Sequence, residues 1–119
     1  MSYKTGAELT EEARAQIREV SPAEVKAMLE RNEPVVYLDV REPNEWNLGH
    51  IPGAVHLPRG NLESKLEGMV DRSKKVVVYC ARGNRSALAA LTMKQMGYED
   101  VASMSAGFAG WADAGGAVD

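Results

Sequence analysis

Two stretches of the chain are almost unbroken apolar runs, "PVVYLDV" (34–40) and "KKVVVYC" (74–80), both rich in β-branched residues. Runs of this length and composition predict strands buried on both faces, as a parallel sheet requires. Shorter runs at 55–57 and 101–104 predict two weaker strands. Elsewhere the apolar positions fall at helical spacing. "TEEARAQIREV" (10–20) predicts an N-terminal helix. "VSPAEVKAMLERNEP" carries a helix start: Ser21 as cap, Pro22 in the first position and Glu24 completing a capping box, with Val20 and Val25 placed for a hydrophobic staple. Asn32 and Pro34 mark its end. Leu62, Leu66 and Met69 share one helical face after a cap at Asn61. "SALAALTMKQMG" (86–97) is apolar on most of its surface, which predicts a well-buried helix closed by Gly97. Phe108 and Trp111 predict a short final helix.

Strands and helices therefore alternate. That order predicts an α/β domain with a mainly parallel sheet and helices on both faces. The division expected is an N-terminal helical extension over 1–17 and one domain over 18–119, with no repeat or linker inside it. Ligand sites in such sheets lie beyond the carboxyl ends of the strands. Two polar segments fall there: "REPNEWNLGH" after the first long run and "ARGNRS" after the second.

Composition narrows the reading. The chain has 119 residues, enough for one modest core, and a formal net charge of −3. A mildly acidic chain gives no general electrostatic reason to bind nucleic acid. There is one cysteine, so no disulfide can form within the chain. The N-terminal stretch lacks the apolar core of a signal peptide, and no run approaches the length of a membrane span. The expectation is a cytoplasmic protein with no membrane and no nucleic-acid partner.

That one cysteine, Cys80, opens "CARGNRS". Taken alone, a cysteine at a strand end is more often a small buried apolar residue than a nucleophile. Its neighbours change the weighting. A following helix turns unpaired N–H groups and its positive end toward the loop. Arg82 and Arg85 add fixed charge, and Gly83 lets successive N–H groups curl inward as an anion nest. Such surroundings favour a thiolate and attract an anionic substrate, without a histidine base. His50 and His56 match no zinc spacing together with Cys80, so no metal is expected. Trp46 and Trp111 read as core or pocket-wall aromatics.

The pieces "VSPAEVKAML", "YLDVREPNEWNLGHIPGAVHLP", "VVVYCARGNRSALAALTMKQMGY" and "VASMSAGFAGW", in that order, resemble the rhodanese superfamily, specifically the single-domain rhodaneses. The resemblance spans roughly 18–118. It implies a central, mostly parallel sheet of about five strands and transfer of a sulfane sulfur through a persulfide on Cys80, with no other cofactor. The loop Ala81, Arg82, Gly83, Asn84, Arg85 and Ser86 would cradle the outer sulfur with backbone N–H groups. Arg82 would hold the anionic end of a donor such as thiosulfate. Arg85 would pair with Asp39 or Glu45. Those two acids and Arg41 are expected to shape the loop rather than touch substrate. The acceptor would be cyanide in vitro, and in the cell a thiol such as glutathione or a thioredoxin-like protein. One departure stands out: Ala106-Gly107 replaces the Gly-Gly pair of many relatives, which implies negative φ at Ala106 unless strain is tolerated.

Two rivals remain. Phosphatases and arsenate reductases of the same fold use a loop with five residues between cysteine and arginine. Here four residues, 81–84, separate Cys80 from Arg85, and position 86 is Ser86. The other rival is a binding module, sulfur carrier or sensor, which would load sulfur without turning over.

Overall fold

The computed structural model describes residues 2–119. Five strands form one all-parallel sheet: β1 (Arg18–Val20), β2 (Val36–Asp39), β3 (Val55–His56), β4 (Val76–Tyr79) and β5 (Val101–Met104), in the order β1-β5-β4-β2-β3. The helices are α1 (Gly6–Gln16), α2 (Pro22–Glu30), α3 (Pro43–Asn47), α4 (Leu62–Met69), α5 (Asn84–Gln95) and α6 (Gly107–Asp113), with a 3₁₀ turn at Arg59–Asn61 leading into α4. The fold is the α/β sheet with helices on both faces that the alternation of patterns predicts, and its five strands match the number that the resemblance implies.

The apolar runs are continuous because both faces of the central strands are covered. On β4, Val76 and Val78 point to one side, into a cluster with Leu38 of β2, Leu62 and Leu66 of α4, Ala89 and Met93 of α5, and Tyr98 just beyond it. Val77 and Tyr79 point to the other, into a cluster with Val25 and Met28 of α2, Trp111 of α6, Tyr37 of β2 and Met104 of β5. Cys80 continues the first set at the carboxyl end of the central strand. The start of α2 is as expected: Ser21 Oγ accepts from the Glu24 N–H, Glu24 reaches back to the Ser21 N–H, and Val20 and Val25 are buried in one cluster.

Five expectations are corrected. The helix predicted over 10–20 ends at Gln16, and Arg18–Val20 forms β1 on the sheet edge, parallel to β5. Only Val20 of that strand is buried, so three residues carried no readable alternation. On α4, Leu62 and Leu66 are buried but Met69 is exposed; Val70, just past the helix, takes the inward position. Asn61 makes no capping hydrogen bond, because the 3₁₀ turn already leads the chain into α4. Helix α5 begins at Asn84 rather than Ser86, with Gly83 at φ +99 as its cap residue.

The fifth correction concerns the turn before α6. Ala106 has φ +61, in the left-handed region, so the strain is tolerated. Its methyl group fits because position 110 is glycine: a Cβ on Gly110 would stand 2.6 Å from it. Gly107 has no such latitude. A Cβ there would lie 2.5 Å from the Cys80 carbonyl oxygen and from the Ala81 carbonyl carbon. These two adjacent positions should respond in opposite ways. Gly107→Ala should cost about 3 kcal/mol in urea unfolding, since it strains φ and collides with backbone. Ala106→Gly should stay within about 1 kcal/mol of wild type, relief of the left-handed alanine offsetting a looser unfolded chain. Equal losses at both would show that contact with the Cys80 loop does not constrain this turn.

Candidate functional site

Cys80 leaves the central strand at the carboxyl edge of the sheet and is almost wholly buried. The loop that follows turns its carbonyl groups away from the sulfur. The Cys80 carbonyl accepts from the Phe108 N–H at 2.8 Å and the Ala81 carbonyl from the Ala109 N–H at 3.1 Å, both in the first turn of α6. The Gly83 carbonyl takes the Ala87 N–H inside α5. Positive φ at Gly83 then turns its N–H inward, where it donates to Cys80 Sγ at 3.1 Å; the Ser86 N–H donates to the same atom at 3.3 Å. The N–H groups of Asn84 and Arg85 have no acceptor among the described residues, as expected of a helix's first turn. Of the six loop residues expected to cradle a sulfur, therefore, two aim N–H groups at Sγ itself.

Serine adds a contact that the sequence did not signal. Ser86 Oγ lies 3.5 Å from Cys80 Sγ and 2.8 Å from Ser103 Oγ of β5. Both serines are fully buried. Ser103 sits in a strand read only as apolar, and nothing in its local pattern points to the cysteine.

The three arginines of the two segments are arranged differently. Arg85 is held by Glu45, Nη1 to Oε1 at 3.1 Å and Nη2 to Oε2 at 3.3 Å. Glu45 thus takes the role for which Asp39 was the other candidate. It sits in the first turn of α3, where Oε1 also accepts the Glu42 N–H at 3.0 Å. The Arg85 guanidinium chiefly holds the Glu45 carboxyl below the usual range; burial opposes it, and the Glu42 N–H adds a smaller lowering. Asp39 instead pairs with Arg41, Nη2 to Oδ2 at 2.8 Å, and both are buried. Arg41 also donates to the Gly49 carbonyl at 2.6 Å and lies 4.3 Å over the Phe108 ring. This buried pair fixes the segment after β2 against the residue that hydrogen-bonds the Cys80 carbonyl. Tyr79 closes the group: its hydroxyl accepts the Ile51 N–H, and burial, with Asp39 beside it, keeps the phenol protonated. Arg82 is exposed and makes no ion pair among the described residues.

The histidines bond to backbone. His50 Nδ1 is 3.1 Å from the Trp46 carbonyl and His56 Nε2 is 2.9 Å from the Arg41 carbonyl, with both rings stacked on Trp46. Trp111 lies in the core. Among the described residues no group of three His, Cys, Asp or Glu gathers as a metal set. No helix there is long and apolar enough to cross a membrane. An open cleft of about 550 Å³ lies at Trp46, His56, Pro58 and Lys65. No loop residue lines it; the candidate site rests instead on the convergence of N–H donors at Cys80 Sγ.

The chain is similar to known proteins. The family model of the rhodanese-like domain matches residues 21–114. The thiosulfate sulfurtransferase GlpE of Pseudoalteromonas translucida is 35% identical over 95 residues, 79% of this chain and 88% of that protein. The putative sulfur carrier protein YrkF of Bacillus subtilis is 33% identical over 108 residues, 91% of this chain; the chain spans only 58% of YrkF. Among solved structures, a Rhodopseudomonas palustris protein of unknown function, described as a possible tyrosine phosphatase, superposes with a TM-score of 0.90 at 34% identity, covering 100% of this chain and 97% of that one.

The Glu45–Arg85 pair gives a pH-dependent expectation. A carboxyl held lower in the folded state stabilises the fold above its unfolded value, about 4.3, and that contribution fades as pH falls through the folded value. Glu45→Gln should lower Tm by about 2–4 °C at neutral pH, a small effect because the pair is partly exposed. The difference from wild type should shrink below about pH 4. A gap that persists unchanged at low pH would mean that the carboxylate charge is not what holds the loop.

Proposed function

The chain belongs to the rhodanese-like domain family, and on that premise we propose that it is a sulfurtransferase using Cys80 as the sulfur acceptor. The observation that carries this reading is the pair of N–H groups, from Gly83 and Ser86, converging on the sulfur of a buried cysteine at the start of α5. Donors fixed in place stabilise negative charge on sulfur without reorganising during reaction. The Cys80 thiolate attacks the outer sulfur of an anionic donor such as thiosulfate. The donor's S–S bond breaks, sulfite leaves with its electron pair, and Cys80 carries a persulfide. An external thiolate then attacks the terminal sulfur and releases the Cys80 thiolate. This is covalent catalysis in two half-reactions. With one cysteine in the chain, nothing within it can resolve the persulfide as a disulfide, so the acceptor is another molecule: glutathione, a thioredoxin-like protein or, in vitro, cyanide.

Two other readings have an observation behind them. Likeness to YrkF favours a sulfur carrier, which would load once and stall without its partner. Likeness to the R. palustris protein raises phosphoryl transfer. Against that stands the occupation of Arg85, whose two terminal nitrogens both bond to Glu45, leaving them poorly placed to clasp phosphoryl oxygens.

Intact mass before and after thiosulfate tests the reading. Wild type should gain one sulfur atom, lose it to cyanide and cycle; Cys80→Ser should gain none while staying folded. Retained turnover in Cys80→Ser would sink the mechanism, and loading without turnover would move the assignment to a carrier. Arg82, exposed and without an ion-pair partner among the described residues, is the cation available to the donor. Arg82→Ala should raise KM for thiosulfate by about tenfold, with kcat and the rate with a neutral donor little changed. An equal effect on both donors would remove its anion-binding role.

A further inference from the structure

We propose that Arg14, on helix α1 and outside the span matched by the rhodanese-like family, is a positioning residue of the Cys80 loop. Its Nη2 donates to Asn84 Oδ1 at 2.8 Å, across 70 positions of sequence. The same Nη2 stands 3.5 Å from where a Cβ on Gly83 would be. The guanidinium therefore covers the flank of the loop at the residue whose N–H donates to Cys80 Sγ, and bonds the side chain of the next residue. Asn84 and Arg85 are held from two directions, Asn84 by Arg14 from α1 and Arg85 by Glu45 from α3.

The remaining contacts of Arg14 do not account for its placement. Its carboxylate neighbours, Glu11 and Glu19, are both 3.8 Å away, beyond hydrogen-bond length. Its Nε is buried with no hydrogen-bond partner. An orphaned buried donor costs free energy, and Nε, 3.8 Å from Glu19 Oε2 of β1, stays short of a hydrogen bond while Nη2 bonds Asn84. Attachment of α1 has other means: Ala13 is fully buried, Ile17 packs against the core cluster, and Lys94 Nζ donates to the Gln16 carbonyl at 2.7 Å. What Arg14 adds is the contact at Gly83 and Asn84. Through it, α1 fixes the curl that aims the Gly83 and Ser86 N–H groups at the sulfur.

The proposal deepens the sulfur-transfer reading, and its test has an arm that does not depend on it. Hydrogen exchange is measured on wild type, Arg14→Ala, Asn84→Ala and the double variant, together with single-turnover persulfide formation from thiosulfate. Both single variants should speed exchange in 81–87 by about tenfold while 74–79 stays protected. Persulfide formation should slow by about tenfold in each, and the double variant should be no worse than either, since both remove one interaction. Asn84→Ala leaves α1 untouched, so it keeps the test decisive if Arg14→Ala fails to fold. Unchanged exchange in 81–87, or a lower Tm with loop exchange and rate as in wild type, would overturn the proposal and leave Arg14 as packing. Additive losses would overturn it too, by showing that Arg14 acts on the donor and not through Asn84. A wild type that takes sulfur from no donor would refute the sulfurtransferase reading, and the exchange arm would still decide the role of Arg14.

Discussion

The cysteine loop can present N–H groups to one sulfur atom only if its carbonyls are satisfied elsewhere. Helix α6 meets that condition. The N–H groups of Phe108 and Ala109, which an isolated helix would leave unpaired, take the carbonyls of Cys80 and Ala81. Two shortages cancel: a helix start with donors to place, and a loop with acceptors to hide. The cancellation requires backbone to meet backbone, and Gly107 is the residue that permits the approach. The left-handed turn at Ala106 and Gly107 follows from this contact. So does the place of Phe108, whose ring meets the Arg41 guanidinium and carries the constraint to the segment after β2.

That segment is built around ion pairs of different character. Asp39 and Arg41 are buried, and removing either partner would leave an uncompensated charge in the core, a loss of roughly 3–5 kcal/mol. Glu45 and Arg85 are partly exposed, and their pairing is worth far less to stability. The second pair instead sets geometry. Glu45 occupies the first turn of α3 and accepts the Glu42 N–H, so one carboxylate organises a helix start and anchors the start of α5. A helix of five residues is a weak element by itself. Here it is stabilised by what it holds.

The parts legible in the sequence were those written in local pattern. The buried strands announced themselves as β-branched runs, and α2 by its serine, proline and glutamate at fixed offsets. The curl of the cysteine loop followed from Gly83 and a helix start, and Glu45 was one of two acids named for Arg85. The rest depended on partners distant in sequence. Arg18–Val20 is a strand because β5 offers it an edge, not because its residues alternate. Choosing Glu45 over Asp39 required knowing that Arg41 claims Asp39 first. Ala106 is held at positive φ by the needs of the loop it abuts, against its own preference. Ser103 and Arg14 reach the site from β5 and α1, and no spacing rule links either to Cys80.

The distribution of charge around the loop then decides what it can attract. Counting arginines in the sequence suggests a strongly cationic pocket. In the fold, Glu45 neutralises Arg85 at short range, and Arg14 lies between Glu11, Glu19 and Asn84. Those two guanidiniums set the shape of the loop more than its field. At short range the N–H groups of Gly83 and Ser86, at the start of α5, act directly on the sulfur atom, and Arg85 acts on it at longer range. Arg82, exposed and without a carboxylate, extends that potential outward. On the sulfur-transfer reading proposed above, a site so arranged holds a single charged sulfur closely and meets the rest of an anion only at its rim. That division suits transfer of one atom from a small anionic donor better than enclosure of a whole tetrahedral oxyanion, which needs several donors arranged around three oxygens.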